Sequence, residues 1–176
     1  LARPFPMSRL LEGDTGSGKT VVAAAAVLHA IKTGFQVCLL APTEILARQH
    51  FKTFSKLLGK FEIKPEILVG AMTDKEKNAV IQKLKTGEIK FIIGTHALLQ
   101  NSVSFKNLGL AVIDEQHRFG VRQREILKSY GSPHVLSLTA TPIPRTLALI
   151  LYGDQDLSVL DEMPEGRQKV QTRIEP

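Results

Sequence analysis

The sequence predicts an α/β fold: a three-layer, doubly wound and mainly parallel sheet with helices on both faces. Three observations carry this. Apolar runs of four to six residues alternate with helical patterns along the whole chain. The runs bounded by helices are continuously hydrophobic, as strands covered on both faces of a parallel sheet must be. The first run leads into Gly13-Asp14-Thr15-Gly16-Ser17-Gly18-Lys19-Thr20, a glycine-rich turn that opens a helix at the carboxyl end of a strand, where such sheets hold their ligands.

The elements follow in order. The first strand is Ser8–Leu11, with Glu12 at its end, and the first helix spans Lys19–Thr33, with Gly34 at its C-cap. The second strand, Gln36–Ala41, contains the single cysteine, Cys38, among apolar neighbours, where a thiol serves as a small hydrophobe. The second helix, Glu44–Leu58, is amphipathic: Ala47, Phe51, Phe54 and Leu58 share one face, and Arg48, Lys52 and Lys56 recur at i, i+4 spacing on another. That basic stripe reads first as a solvated charged face. Gly59 is expected to cap the helix. A third strand at Glu66–Val69 precedes a helix at Asp74–Thr86, which starts on a Thr73/Glu76 capping box and ends at Gly87. Strands at Lys90–Ile93, Leu110–Ile113, Val135–Leu138 and Leu157–Leu160, with helices at Arg122–Tyr130 and Arg145–Tyr152, complete the pattern.

Composition narrows the function classes. With 176 residues, 43% of them hydrophobic, the chain can bury one real core. Its 23 Lys and Arg against 17 Asp and Glu leave a net charge of +6, a balance that favours a polyanionic partner. One cysteine cannot form an internal disulfide, so the expected setting is the reducing cytoplasm. The longest apolar stretch, Val21–Leu28, is too short to cross a bilayer, and the first residues lack a secretory pattern. Both ends read as interior to a longer protein.

The glycine-rich turn has the chemistry of a nucleoside-triphosphate site. Glycines let backbone N–H groups wrap a polyphosphate, Lys19 supplies a point charge to the β/γ oxygens, and Thr20 holds Mg²⁺. The phosphates are expected against Gly13, Asp14, Thr15, Gly16, Ser17 and Gly18, at a helix N-terminus whose dipole favours anions. Further along, Val112-Ile113-Asp114-Glu115-Gln116-His117 closes an apolar run with two adjacent carboxylates. Asp114 is expected to hold the metal and Glu115 to orient and deprotonate the attacking water. Other strand ends carry Ala41-Pro42-Thr43-Glu44, Gly94-Thr95-His96-Ala97 and Thr139-Ala140-Thr141-Pro142-Ile143-Pro144-Arg145. In isolation Thr43 and Thr95 are helix N-caps, Pro142 and Pro144 turn residues, and His117 a structural histidine.

Taken together, these segments resemble the first RecA-like motor lobe of superfamily 2 helicases, and within them the RecG family. The matching segments include Arg9-Leu10-Leu11 with the phosphate loop, Gly94–Leu99, Asn107–Leu110, Asp114–Gly120, Thr139–Thr146, Tyr152–Asp154 and Asp161–Arg167. Gln116 separates the chain from the transcription–repair coupling translocases, which usually carry Asp-Glu-Glu-His. Glu12 and Thr15 depart from the Gln-Gly-Asp-Val common in the family, at positions that tolerate exchange.

The resemblance implies an ATP-dependent DNA helicase that uses ATP and Mg²⁺ to translocate on and remodel branched or forked DNA. It implies a motor lobe over residues 1–160, and over 161–176 the start of a connection to a second lobe. That lobe, with its arginine finger, and a DNA-recognising wedge domain are the implied partners, in a monomeric parent. The isolated lobe should be nearly inactive. Gln116, His117, Thr139 and Thr141 would couple nucleotide state to DNA, while Pro42, Thr43, Thr95 and His96 would contact its sugar–phosphate backbone. Arg118, Arg122 and Arg145 are equally well phosphate contacts, interlobe contacts or plain surface. A small-molecule kinase would need an acceptor pocket and an arginine-bearing lid, neither of which is evident. A nucleotide-gated binding module would lack a second lobe.

Overall fold

A computed structural model of the chain describes residues 6–115, 126–127, 129–141 and 155–161. Along these residues run β1 (Ser8–Gly13), α1 (Lys19–Lys32), β2 (Gln36–Leu40), α2 (Glu44–Leu58), β3 (Glu66–Leu68), α3 (Asp74–Thr86), β4 (Phe91–Gly94), β5 (Leu108–Asp114), β6 (His134–Thr139) and β7 (Asp156–Leu160). All seven strands join one sheet in the order β3-β4-β2-β5-β6-β1-β7. Every pair is parallel. The expected helix at 145–152 and most of that at 122–130 lie outside the described residues, as do Gln116, His117, Arg118, Arg122 and Arg145.

The strand periodicity divides the core into two layers. Leu11, Val37, Leu39, Phe91, Ile93, Leu110, Val112, Leu136 and Leu138 face α1 and α2. Cys38, Leu40, Leu68, Ile92, Ala111 and Ile113 face the other way, toward Leu84, Val80 and Ile81 of α3. Burial pushes the Cys38 thiol up to about 12, which leaves it an inert apolar filler. Helix α1 buries Ala23, Ala24, Val27 and Ala30; small side chains at this spacing let it lie close on the sheet. Helix α2 begins at Thr43, whose Oγ1 accepts from Leu46 N at 3.3 Å, and buries Ala47, Phe54 and Leu58. The Thr73/Glu76 capping box starts α3 as its sequence requires.

Two local expectations change. Strand β1 does not stop at Glu12 but runs on to Gly13, which is paired with Leu160, after Glu12 pairs with both Thr139 and Val159. Gly59 does not end α2 in the left-handed conformation. It has φ −58° and leads into a 3-10 turn at Gly59–Phe61, and the left-handed residue is Glu62, at φ 59°.

One buried side chain joins three segments at the amino end of the sheet. Gln36 is 2% exposed. Its Nε2 donates to Leu84 O at 3.0 Å and to Ile89 O at 2.7 Å, and its Oε1 accepts from Asn107 N at 3.0 Å. It thereby fastens the end of α3 and the approaches to β4 and β5 to β2. Replacing Gln36 by Leu takes a donor from buried Ile89 O and an acceptor from Asn107 N, while Leu84 O keeps its bond from Gly87 N, and should cost about 1–3 kcal/mol of stability in chemical denaturation. The same substitution at exposed Gln82 should cost less than about 0.5 kcal/mol. Equal losses would mean that the bracket contributes nothing.

Candidate phosphate-binding site

Parallel pairing places the carboxyl ends of β5, β6 and β1 side by side. The segments that follow them are Asp114–Glu115, Thr139–Thr141 and the loop Gly13–Gly18. The loop is held from within: Ser17 N donates to Asp14 O at 3.1 Å and Thr15 N to Asp14 Oδ1 at 2.7 Å. Gly16 and Gly18 have φ 87° and 93°, a left-handed conformation that a side chain would strain. At Gly13 the limit is space, since a Cβ there would lie 2.5 Å from Ser17 Oγ and 3.0 Å from Leu160 Cβ.

Lys19 opens α1 and turns back on the loop, donating from Nζ to Gly13 O at 2.6 Å and Asp14 O at 2.8 Å. Its ammonium is therefore held at the rim of the loop. The first N–H groups of α1 have no intrahelical acceptor and, with the helix dipole, make this end attractive to an anion. Ser17 Oγ is buried without a hydrogen-bond partner among the described residues. Glycine backbone, fixed cation and orphan hydroxyl together fit a polyphosphate, and Thr20 lies in the first turn of the same helix.

The other expected residues fall into two groups. Asp114 ends β5 on the face shared by Leu110 and Val112, the α1/α2 side. The next residue, Glu115, has φ 51°. A non-glycine residue so placed costs about 1–3 kcal/mol and is common at functional sites. Thr139 is buried, and its Oγ1 lies 2.9 Å from Thr141 Oγ1 and accepts from Thr141 N at 3.2 Å. That pair forms a closed turn beyond β6. Pro42, Thr43, Thr95 and His96 lie instead at the ends of β2 and β4, a neighbouring pair joined there by Ala41 N donating to Gly94 O at 2.8 Å. Thr43 is exposed but its hydroxyl caps α2. Thr95 is buried, and His96 is exposed.

His50 is a site residue that sequence reasoning missed. Its Nε2 lies 2.7 Å from Asp114 Oδ2. The available signal was a polar residue three places after Ala47 and four before Phe54, on the edge of the buried stripe. Only the sheet order places that edge beside Asp114. A separate groove at the amino ends of β3 and β4 is lined by Glu62, Lys64, Glu66, Lys83, Glu88 and Lys90 among others. Its charges are of mixed sign, and Lys83 pairs with Glu88 at 3.2 Å, so it has no preference for an anion.

Comparison with known proteins places the chain among helicases. Residues 7–150 match the DEAD/DEAH box helicase family. The chain is 51% identical to an ATP-dependent DNA helicase RecG of Aquifex aeolicus over 99% of its own length, and 53% identical to that of Thermotoga maritima over 97%. It spans 22% of the length of each of these relatives. Among solved structures, RecG bound to a three-way DNA junction matches with a TM-score of 0.81 and 48% identity, over 94% of this chain and 22% of that one. The Hef helicase domain of Pyrococcus furiosus matches with a TM-score of 0.67 and 25% identity, over 88% of this chain and 35% of that one. Among the described residues no helix is long and apolar enough to cross a membrane.

Proposed function

The chain belongs to the DEAD/DEAH box helicase family, and from this we propose that it is the ATP-binding motor lobe of a RecG-like DNA helicase. The observation that carries the reading is the loop Gly13–Gly18 with Lys19 at its rim, at the same sheet end as Thr139–Thr141 of the adjacent strand and Asp114–Glu115 of the strand beyond it. When bound, Mg²⁺ would offset the negative charge that builds on the phosphate oxygens. Thr20 and Asp114 are the side chains that would hold it. Lys19 would exchange the Gly13 and Asp14 carbonyls for phosphate oxygens, and Glu115 would orient and deprotonate the attacking water. Gln116, His117, Thr139 and Thr141 would pass the nucleotide state onward.

Nucleic acid would lie across the other half of the same sheet end, against Pro42, Thr43, Thr95 and His96. Contacts of this kind hold the backbone of a strand without reading its bases. Branched or forked DNA is the substrate suggested by the RecG relatives. Selection for it, the arginine finger and the closing of the nucleotide cleft would come from the wedge domain and second motor lobe of a longer parent chain. Those relatives are much longer than this chain, which supports such a division of labour. The parent would act as a monomer in the cytoplasm, in DNA repair and recombination.

Lys19→Ala removes the cation from the loop and should weaken Mg–ATP binding to this chain by about 2 kcal/mol or more in calorimetry. Equal affinity in mutant and wild type would refute the nucleotide assignment. Binding to duplex DNA should be weak, independent of sequence and sensitive to salt. Neutralising about three phosphates gives a log–log salt slope of about −2 to −3, measurable by fluorescence anisotropy. A strong preference for one sequence, or indifference to salt, would contradict the nucleic-acid part of the proposal.

A further inference from the structure

His50 lies two turns into α2 and meets Asp114 across the α1/α2 layer, Nε2 to Oδ2 at 2.7 Å. The two side chains are only 14% and 16% exposed. A carboxylate oxygen can only accept, so the proton of this hydrogen bond belongs to Nε2. The imidazole is held from behind by the core. Its ring centroid lies 6.2 Å from that of Phe54, which meets Phe91 of β4 edge-on at 5.3 Å. The start of the helix is fixed as well: Thr43 caps it, and Glu44 Oε1 accepts from Ala71 N, in the segment after β3, at 3.0 Å. Helix α2 therefore runs as one rigid element from the strand-end segments of β2 and β3 to the carboxylate at the end of β5.

We propose that His50 is a positioning residue for Asp114: it engages one carboxylate oxygen, leaves the other for a divalent cation, and ties that carboxylate to the helix beginning at Thr43. The proposal rests on the nucleotide-site reading given above. Groups that hydrogen-bond a metal-binding side chain fix its orientation, and losing one typically costs about 10–100-fold in metal affinity or activity. A histidine that served only to fill space would affect folding, with no special dependence on the metal.

The test measures the affinity of this chain for a fluorescent ATP analogue, in excess Mg²⁺ and in EDTA, for wild type, His50→Ala, His50→Phe and His50→Gln. Thermal unfolding is recorded for each protein. His50→Phe keeps a ring against Phe54 but cannot donate, so it stands in if the alanine variant fails to fold. The amide of His50→Gln can donate from nearly the same position as Nε2. The expected result is a loss of about tenfold in Mg²⁺ for the Ala and Phe variants, a change of less than about twofold in EDTA, and recovery of most of the loss by Gln. Wild-type affinity in the Phe variant in Mg²⁺ would overturn the proposal. So would an equal loss in Mg²⁺ and EDTA that Gln does not rescue, since that pattern marks a packing role. If wild type binds the analogue in neither condition, the nucleotide-site reading itself fails, a result distinct from the other two.

Discussion

The pairing of β1 with β6 and β7, and not with β2, which follows it in the chain, is the constraint on which the site depends. Because β6 and β5 lie between β1 and β2, α1 must cross two strands before the chain re-enters the sheet. The start of that crossover is the glycine loop. Register then sets the heights: Leu11 and Asp114 are both level with Leu138, and Glu12 is level with Thr139. Asp114 thus stands two residues below the mouth of the loop, at the end of the strand next but one. None of these neighbours is local in sequence. They are brought together by backbone hydrogen bonds of the sheet and by the two apolar layers that cover it.

Within that frame the side chains and loop of the site are tethered at identifiable points. The loop closes on itself through Asp14, and Lys19 is anchored by two backbone carbonyls. A charge held in this way needs little reorganisation to meet an anion, because the ammonium exchanges one set of oxygen acceptors for another. Glu115 carries left-handed strain that β5 and its neighbours sustain. Asp114 is held by His50, whose ring lies against Phe54, and Phe54 in turn meets Phe91. The segments at the ends of β2 and β4 belong to the same sheet end but to a different group of strands. The β2–β5 ladder joins the two groups, and helix α2 adds a side-chain link through His50 and Asp114.

Much of this was legible in the residues, for reasons that also explain the rest. Continuous apolar runs marked buried parallel strands, and α2 and α3 span the residues that their periodicity and N-caps indicate. The glycine loop and the Asp-Glu pair stand out in the sequence because the chemistry proposed for them demands particular residue types at fixed spacing. Strand order does not, since no local pattern states which strand lies beside which. The pairing of His50 with Asp114 was hidden for the same reason. Gly59 misled because a glycine after a helix suggests a left-handed cap, whereas the backbone continues into a 3-10 turn and reverses at Glu62. The 3-10 turn at His96–Leu99 has too few residues to show a period. It is stabilised instead by burial of Ala97, Leu98 and Leu99.

The most direct test of the central claim is an NMR titration of this chain with Mg–ADP, following the backbone amide resonances. The account predicts that the largest shifts fall on residues 13–20 at the start of α1, with smaller ones at Asp114 and Glu115. It predicts no comparable change at the amino ends of β3 and β4. Shifts centred on the groove around Lys64, Lys83 and Lys90, or none near the loop at saturating nucleotide, would contradict it.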